Sequence, residues 1–166
     1  MQTVAIEYFQ FEEDFMEDNI RCIPMIVRFK LDQCGIKLRL KEWSNMNVEE
    51  HIELAVLPTN TPENIDRYKK SLCQLIFHYT GNQATMIPIE MNPGWSIIDH
   101  IPPSVQEKTD ELNTTITLQQ WQRLNALQRF ALVKLSQPSH ENKNLPKALK
   151  EFGIHSTKTD QHIKAL

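Results

Sequence analysis

The chain has 166 residues, of which 40% are hydrophobic and 23% charged, and a formal net charge of −3. That size and composition are those of an ordinary soluble globular protein with enough chain to bury a real core. The acidic balance argues against a general nucleic-acid binder, which carries a basic face; no apolar run approaches the roughly 20 residues needed to cross a bilayer.

In chain order, Met1–Glu7 lacks the basic region and apolar stretch of a secretory signal, so none is expected. Val4–Phe9 has the β-rich composition of a short extended segment. Phe9–Cys22 follows, in which five acids interleave with three Phe. If helical, Phe11 and Phe15 share a face at i, i+4, with Glu12, Glu13 and Asp14 turned to water. Two roles stay open for it: an acidic lead-in packed on the core, or a docking strip for a basic surface, with Arg21 and Arg28 at its flank.

Next comes a stretch that the chain repeats. Shifted by 78 positions, Ile23, Pro24, Val27, Lys30 and Asp32 land on Ile101, Pro102, Val105, Lys108 and Asp110. Leu40, Trp43, Asn47, Leu54 and Leu57 then land on Leu118, Trp121, Asn125, Leu132 and Leu135, giving ten identities without a gap. Pro24 and Pro102 mark helix starts. Gly35 and Asn113 are the residue types that tolerate a left-handed C-terminal position. Helices are therefore predicted over 24–34 and 102–112. The first is apolar on nearly every side, which predicts burial, with an exposed partner patch of Met25, Ile26 and Phe29 as the alternative. The second is apolar on one stripe and belongs at the surface.

A carboxylate near a helix C-terminus opposes the macrodipole by roughly 0.3–1 kcal/mol, so Asp32 and Asp110 need partners. Asp32 could cap the N–H groups at Arg39–Glu42, or pair across the repeat with Lys108, as Asp110 could with Lys30. A second helix start follows in each copy. Thr117 and Gln120 form a capping box, with Ile116 and Trp121 as the hydrophobic staple. Leu38, Glu42 and Trp43 keep the pattern in the first copy, but Arg39 replaces the capping Thr and cannot accept the orphan N–H bonds. Asn47 with Glu50, and Asn125 with Gln128, open helices of about 48–57 and 126–135; Pro58 and Pro138 lie just beyond. Between the copies Thr61-Pro62-Glu63 opens a longer helix with apolar spacing from Ile65 to Tyr79, ended by Gly81. Thr85–Ile89 reads as extended, with Pro88 making it an edge at best, and as the partner of Val4–Phe9. Asn92-Pro93-Gly94 is a turn. A short helix from about Leu145 to Phe152 stops at Gly153, and a polar tail, 155–166, frays.

The expected architecture is a mainly α single domain, 1–154, of two similar helical units related by a pseudo-two-fold axis. This internal duplication comprises copy one at about 9–80 and copy two at about 85–154, with at most a short two-stranded β element. No Gly-rich phosphate loop, G-x-S-x-G or H-E-x-x-H occurs. Cys22, Cys34 and Cys73 are odd in number and lack metal-like spacing, which points to reduced thiols in a cytoplasmic protein; a zinc site from these with His51 stays open. The residues favour a binding or accessory protein over an enzyme, with no cofactor, metal or catalytic set.

The chain resembles the nitrate reductase-associated protein family of cyanobacteria. The resemblance lies in Phe11-Glu12-Glu13-Asp14-Phe15, in the run from Arg21-Cys22-Ile23-Pro24-Met25 to Gly35-Ile36-Lys37-Leu38, and in Glu42-Trp43. It continues in Leu127–Leu135 and Ala148-Leu149-Lys150-Glu151-Phe152-Gly153, so that it covers roughly residues 9–154. His51 departs from it, where Arg is expected and where the second copy has Arg129. The resemblance implies a cytoplasmic accessory or maturation factor that associates with assimilatory nitrate reductase; charge and the lack of a long apolar run add the expectation of neither nucleic acid nor membrane as partner. The alternative is a molybdenum-cofactor or metal carrier, whose phosphate would call on Arg21, Arg28 and Lys30. Features peculiar to the first copy select Phe11, Glu12, Asp14, Arg21, Met25 and Arg28 as candidate partner contacts.

Overall fold

A computed structural model describes residues 8–13, 22–138 and 143–155. Among these the chain forms eight α-helices, two 3-10 turns and one two-stranded ribbon, so the fold is mainly helical. It makes two compact units, Met1–Met91 and Asn92–Leu166.

The first unit is organised around α1 (Met25–Cys34), which packs against α4 (Pro62–Thr80), α3 (Val48–Val56) and the ribbon. Burial is the outcome for α1: Met25, Val27, Leu31 and Cys34 are in the core, and Ile26 is half-buried against it. Gly35 ends the helix at φ 70°, which an L side chain adopts at a cost. A Cβ added there would come within 2.8 Å of the Ile87 carbonyl and of Ile89, so the backbone also approaches too closely for a side chain. Strand β1 (Ile36–Lys37) follows, then α2 (Leu40–Asn45), with Trp43 fully buried as the expected staple residue. Asn47 caps α3 by accepting from Glu50 N–H at 2.8 Å, and Thr61 caps α4 by accepting from Asn64 N–H at 3.2 Å. Tyr68, Leu72 and Ile76 give α4 its buried stripe.

Thr85 and Met86 do form a strand, β2, but its partner is β1, antiparallel, with Ile36 opposite Met86 and Lys37 opposite Thr85. Of the expected partner, Val4–Phe9, residues 4–7 lie outside the described residues, and the pairing observed is that with β1. The physical reason is local. The left-handed turn at Gly35 aims its carbonyl at Ile87 N–H, 2.9 Å away, and Pro88, which has no N–H, ends the ladder one residue later. Residues 85–91, expected to open the second copy, belong with the first unit.

The second unit holds α5 (Pro103–Glu111), α6 (Leu118–Arg123), α7 (Ala126–Leu135) and α8 (Asn144–Glu151). α5 buries Val105 and Thr109 and exposes most of the rest, as a single apolar stripe requires. Asn113 ends it at φ 53°. Thr117 accepts from Gln120 N–H at 3.2 Å while the Gln120 side chain accepts from Thr117 N–H at 2.9 Å, completing the box. Asn125 and Gln128 do the same for α7. Trp121 is fully buried and donates its indole N–H to Ile97 carbonyl at 2.9 Å. The Asn92-Pro93-Gly94 turn leads into a 3-10 turn, Gly94–Ser96, whose Trp95 ring meets Phe130 edge-on at 6.4 Å.

Candidate interaction surface

Glu12, Lys30, Glu42 and His51, buried in the first unit, hold helix ends. Glu12, 6% exposed, sends one carboxylate oxygen to the N–H of Phe9 at 3.0 Å and the other to the N–H of Met25 at 2.7 Å. Pro24, the residue before α1, has no side-chain oxygen to offer. Glu12 therefore does from 13 residues away what a local Ser or Asp normally does. Its charge also faces the positive end of the helix dipole.

Lys30 is the cationic counterpart. It is 6% exposed, and its Nζ donates to the carbonyls of Ala55 at 2.5 Å and Leu57 at 2.6 Å. These belong to the end of α3, where carbonyls lack helical partners and the dipole is negative. Lys108, its mate in the second unit, instead pairs with Glu111 on its own helix at 2.7 Å. Lys30 and Lys108 thus each take a partner within their own unit. At the start of α2, where Asp32 was one candidate cap, the Glu42 side chain accepts from Arg39 N–H at 2.7 Å.

His51 stacks on Trp43 with ring centroids 3.8 Å apart and places Nε2 2.8 Å from the Trp43 carbonyl. Facing a carbonyl, Nε2 is assigned the proton. Nδ1 is buried with no hydrogen-bond partner among the described residues. In the second unit Arg129 takes this position, donating to the carbonyls of Trp95 (2.7 Å) and Leu124; desolvation lowers its pKa from the ordinary value. Each side chain thus ties down a carbonyl at the end of the short helix before it, so the departure at His51 keeps the donor and changes the reach.

The cysteines are free thiols. Burial pushes Cys34 up to about 11, against a weaker opposing pull from backbone hydrogen bonding and from Lys69. Burial raises Tyr68 as well, with a contribution from Cys34. No three His, Cys, Asp or Glu gather into a possible metal group among the described residues.

Of the candidate contacts, Phe11, Glu12 and Met25 are buried. Phe11 stacks on Phe9 with centroids 5.2 Å apart. Arg28 is half-buried and donates Nε to the Ile23 carbonyl at 2.9 Å. Asp14 and Arg21 lie outside the described residues. The structure thus joins Glu12 to Met25 but as framework, and it commits Lys30 and Arg28, wanted for a phosphate, to carbonyls. Sequence spacing gave no sign of Lys30 as a cap; a basic residue inside an apolar helix was the available signal.

The surface of the first unit is elsewhere. Large apolar side chains are exposed at Leu40, Phe77, Met86 and Met91. Around Leu40 stand Lys37, Arg39 and Lys41, all exposed. The guanidinium of Arg39 pairs with Glu42 at 3.2 Å and reaches Thr85 Oγ1 at 3.2 Å. Such a surface can hold a partner through charge and apolar contact. Among the described residues no helix is long and apolar enough to cross a membrane.

Comparison with curated proteins and with solved structures finds no match. A family model does match, over residues 8–152, and takes in both units and every tie described above; the chain belongs to the family of conserved nitrate reductase-associated proteins.

Proposed function

We propose that this chain is a cytoplasmic accessory factor that associates with assimilatory nitrate reductase and supports its assembly or activation, by binding rather than by catalysis. The observation that carries this is the family itself, described as nitrate reductase-associated and matched over residues 8–152. The commitments of the buried polar groups support it. Glu12, Lys30, His51 and Arg129 are engaged with backbone groups at helix ends or with a neighbouring turn. They are used for architecture, and the exposed groups are left for recognition.

The test is genetic and biochemical. In a nitrate-assimilating host lacking this chain, reductase polypeptide should accumulate with little activity, and restoring the chain should restore activity. Tagged chain should retain the reductase polypeptide. Full reductase activity without the chain would overturn the proposal. A stoichiometric molybdenum cofactor in the native mass spectrum of the purified chain would replace it with cofactor handover.

A further inference from the structure

The offset of 78 residues that aligns the two units places Lys37, Arg39 and Lys41 on Thr115, Thr117 and Gln119. All six residues are exposed and lead into or open a short helix, α2 or α6. The second unit makes this turn with neutral side chains, so the turn itself does not require charge. In the first unit it carries three cations at alternate positions.

These cations have a defined setting. Lys37 lies directly opposite Thr85 in the ribbon, so the two share a face. Arg39 Nη2 donates to Thr85 Oγ1 at 3.2 Å, which brings the guanidinium to that face too. Lys41 follows at the second position of α2, and Leu40, 52% exposed, stands between the two. The nearest acid in the chain, Glu42, is turned inward onto Arg39, its side chain 9% exposed.

Arg39 also carries a cost. Thr117 caps α6 with its hydroxyl, whereas Arg39 offers no acceptor at the matching position of α2. Glu42 takes the Arg39 N–H, so one half of the box is kept and the side-chain cap on the third N–H is what Arg39 gives up. Arg39 is thus a poorer helix opener than Thr117, and most of its side chain stays exposed.

We infer that Lys37, Arg39, Lys41 and Leu40 form a docking strip for an acidic segment of a partner polypeptide. The match is one of charge: cations at alternate positions meet carboxylates along an extended peptide, with Lys37 and Lys41 exposed to them and Arg39, shared between Glu42 and Thr85, adding its charge to the strip. Leu40 favours a peptide with an apolar side chain among its acids over a bare polyanion. The inference rests on the association proposed above and names the chemistry of the segment that the reductase would present.

The test replaces the strip with the second unit's own residues, K37T/R39T/K41Q, in the full chain. Its thermal midpoint should equal or exceed that of the parent. The probe is a fluorescein-labelled synthetic peptide of Glu, Asp and Phe, with its Gln and Asn counterpart as control. The parent should bind the acidic peptide with an affinity that falls as salt rises, the variant about tenfold more weakly, and neither should bind the control. Equal binding by the variant would overturn the inference. Preferential binding of phosphatidylserine vesicles or RNA would overturn it in favour of a lipid or nucleic acid. A doubling of mass lost in the variant would assign the strip to a second copy, also against it. Purified nitrate reductase separates the two levels. Retention by parent and variant alike rejects the strip and leaves the association standing. Retention by neither rejects the association, and the peptide result then judges the strip alone.

Discussion

Two buried charges, Glu12 and Lys30, show what single side chains do in this molecule. Each is removed from water and matched with backbone groups of opposite polarity at a helix end. Removing one partner of such a pair leaves a buried group unsatisfied, at roughly 1–3 kcal/mol. Glu12→Gln tests this with almost no change in volume. Both N–H donors face carboxylate oxygens, and an amide can present only one oxygen, so its NH2 would confront the second donor. The variant should lose about 1–3 kcal/mol in urea unfolding with an unchanged slope. A second prediction concerns the Cys34 thiol. Burial pushes its folded pKa to about 11, above the ordinary thiol value of 9.0. Thiols ionise to anions, so above pH 9 the unfolded chain sheds this proton while the folded one keeps it. Stability from this group is intact below pH 9 and declines as pH rises from 9 through about 11. The thermal midpoint of the parent should fall further over that window than that of Cys34→Ala, which lacks the group. In folded protein at pH 8, iodoacetamide should modify Cys22 and Cys73, both partly exposed, before Cys34.

At the scale of elements, helix ends were legible in the sequence and long-range ties were not. Caps, staples and left-handed termini are written within a few residues of one another. Asn47, Thr61, Thr117 and Asn125 all cap where their spacing predicts. The β1–β2 pairing joins residues about 50 apart, and nothing in Thr85–Ile89 says which strand it will meet. Glu12 was misleading for a physical reason. In an acidic run each carboxylate looks solvent-facing, and only the empty cap at Pro24 hinted that one is drawn inward. Arg39 is the element-scale experiment. Arg39→Thr should recreate the box found at Thr117, with Glu42 in place of Gln120, and stabilise the protein by about 0.5–1 kcal/mol. Differential scanning calorimetry should show a raised midpoint. An unchanged or lowered midpoint would mean that the pairing of Arg39 with Glu42 is worth as much as a cap.

Stability belongs to the whole molecule, and it determines how partner-binding experiments must be interpreted. A domain of this size has a net stability of about 5–15 kcal/mol. Phe11, 5% exposed and stacked on Phe9, contributes to that total through burial. Phe11→Ala should cost about 3–5 kcal/mol from lost burial and the cavity left behind. A loss of that order can by itself reduce the amount of protein in a cell severalfold. Weak co-purification of such a variant with nitrate reductase would then look like a lost contact. The two causes separate in purified samples at 25 °C. With the folded fraction measured by circular dichroism, Phe11→Ala should retain the parent's affinity per folded molecule while its unfolding midpoint drops. K37T/R39T/K41Q should do the reverse, keeping or raising its midpoint and losing affinity. If Phe11→Ala instead binds more weakly per folded molecule, the acidic lead-in around Phe11 carries part of the contact, and recognition extends beyond the ribbon face.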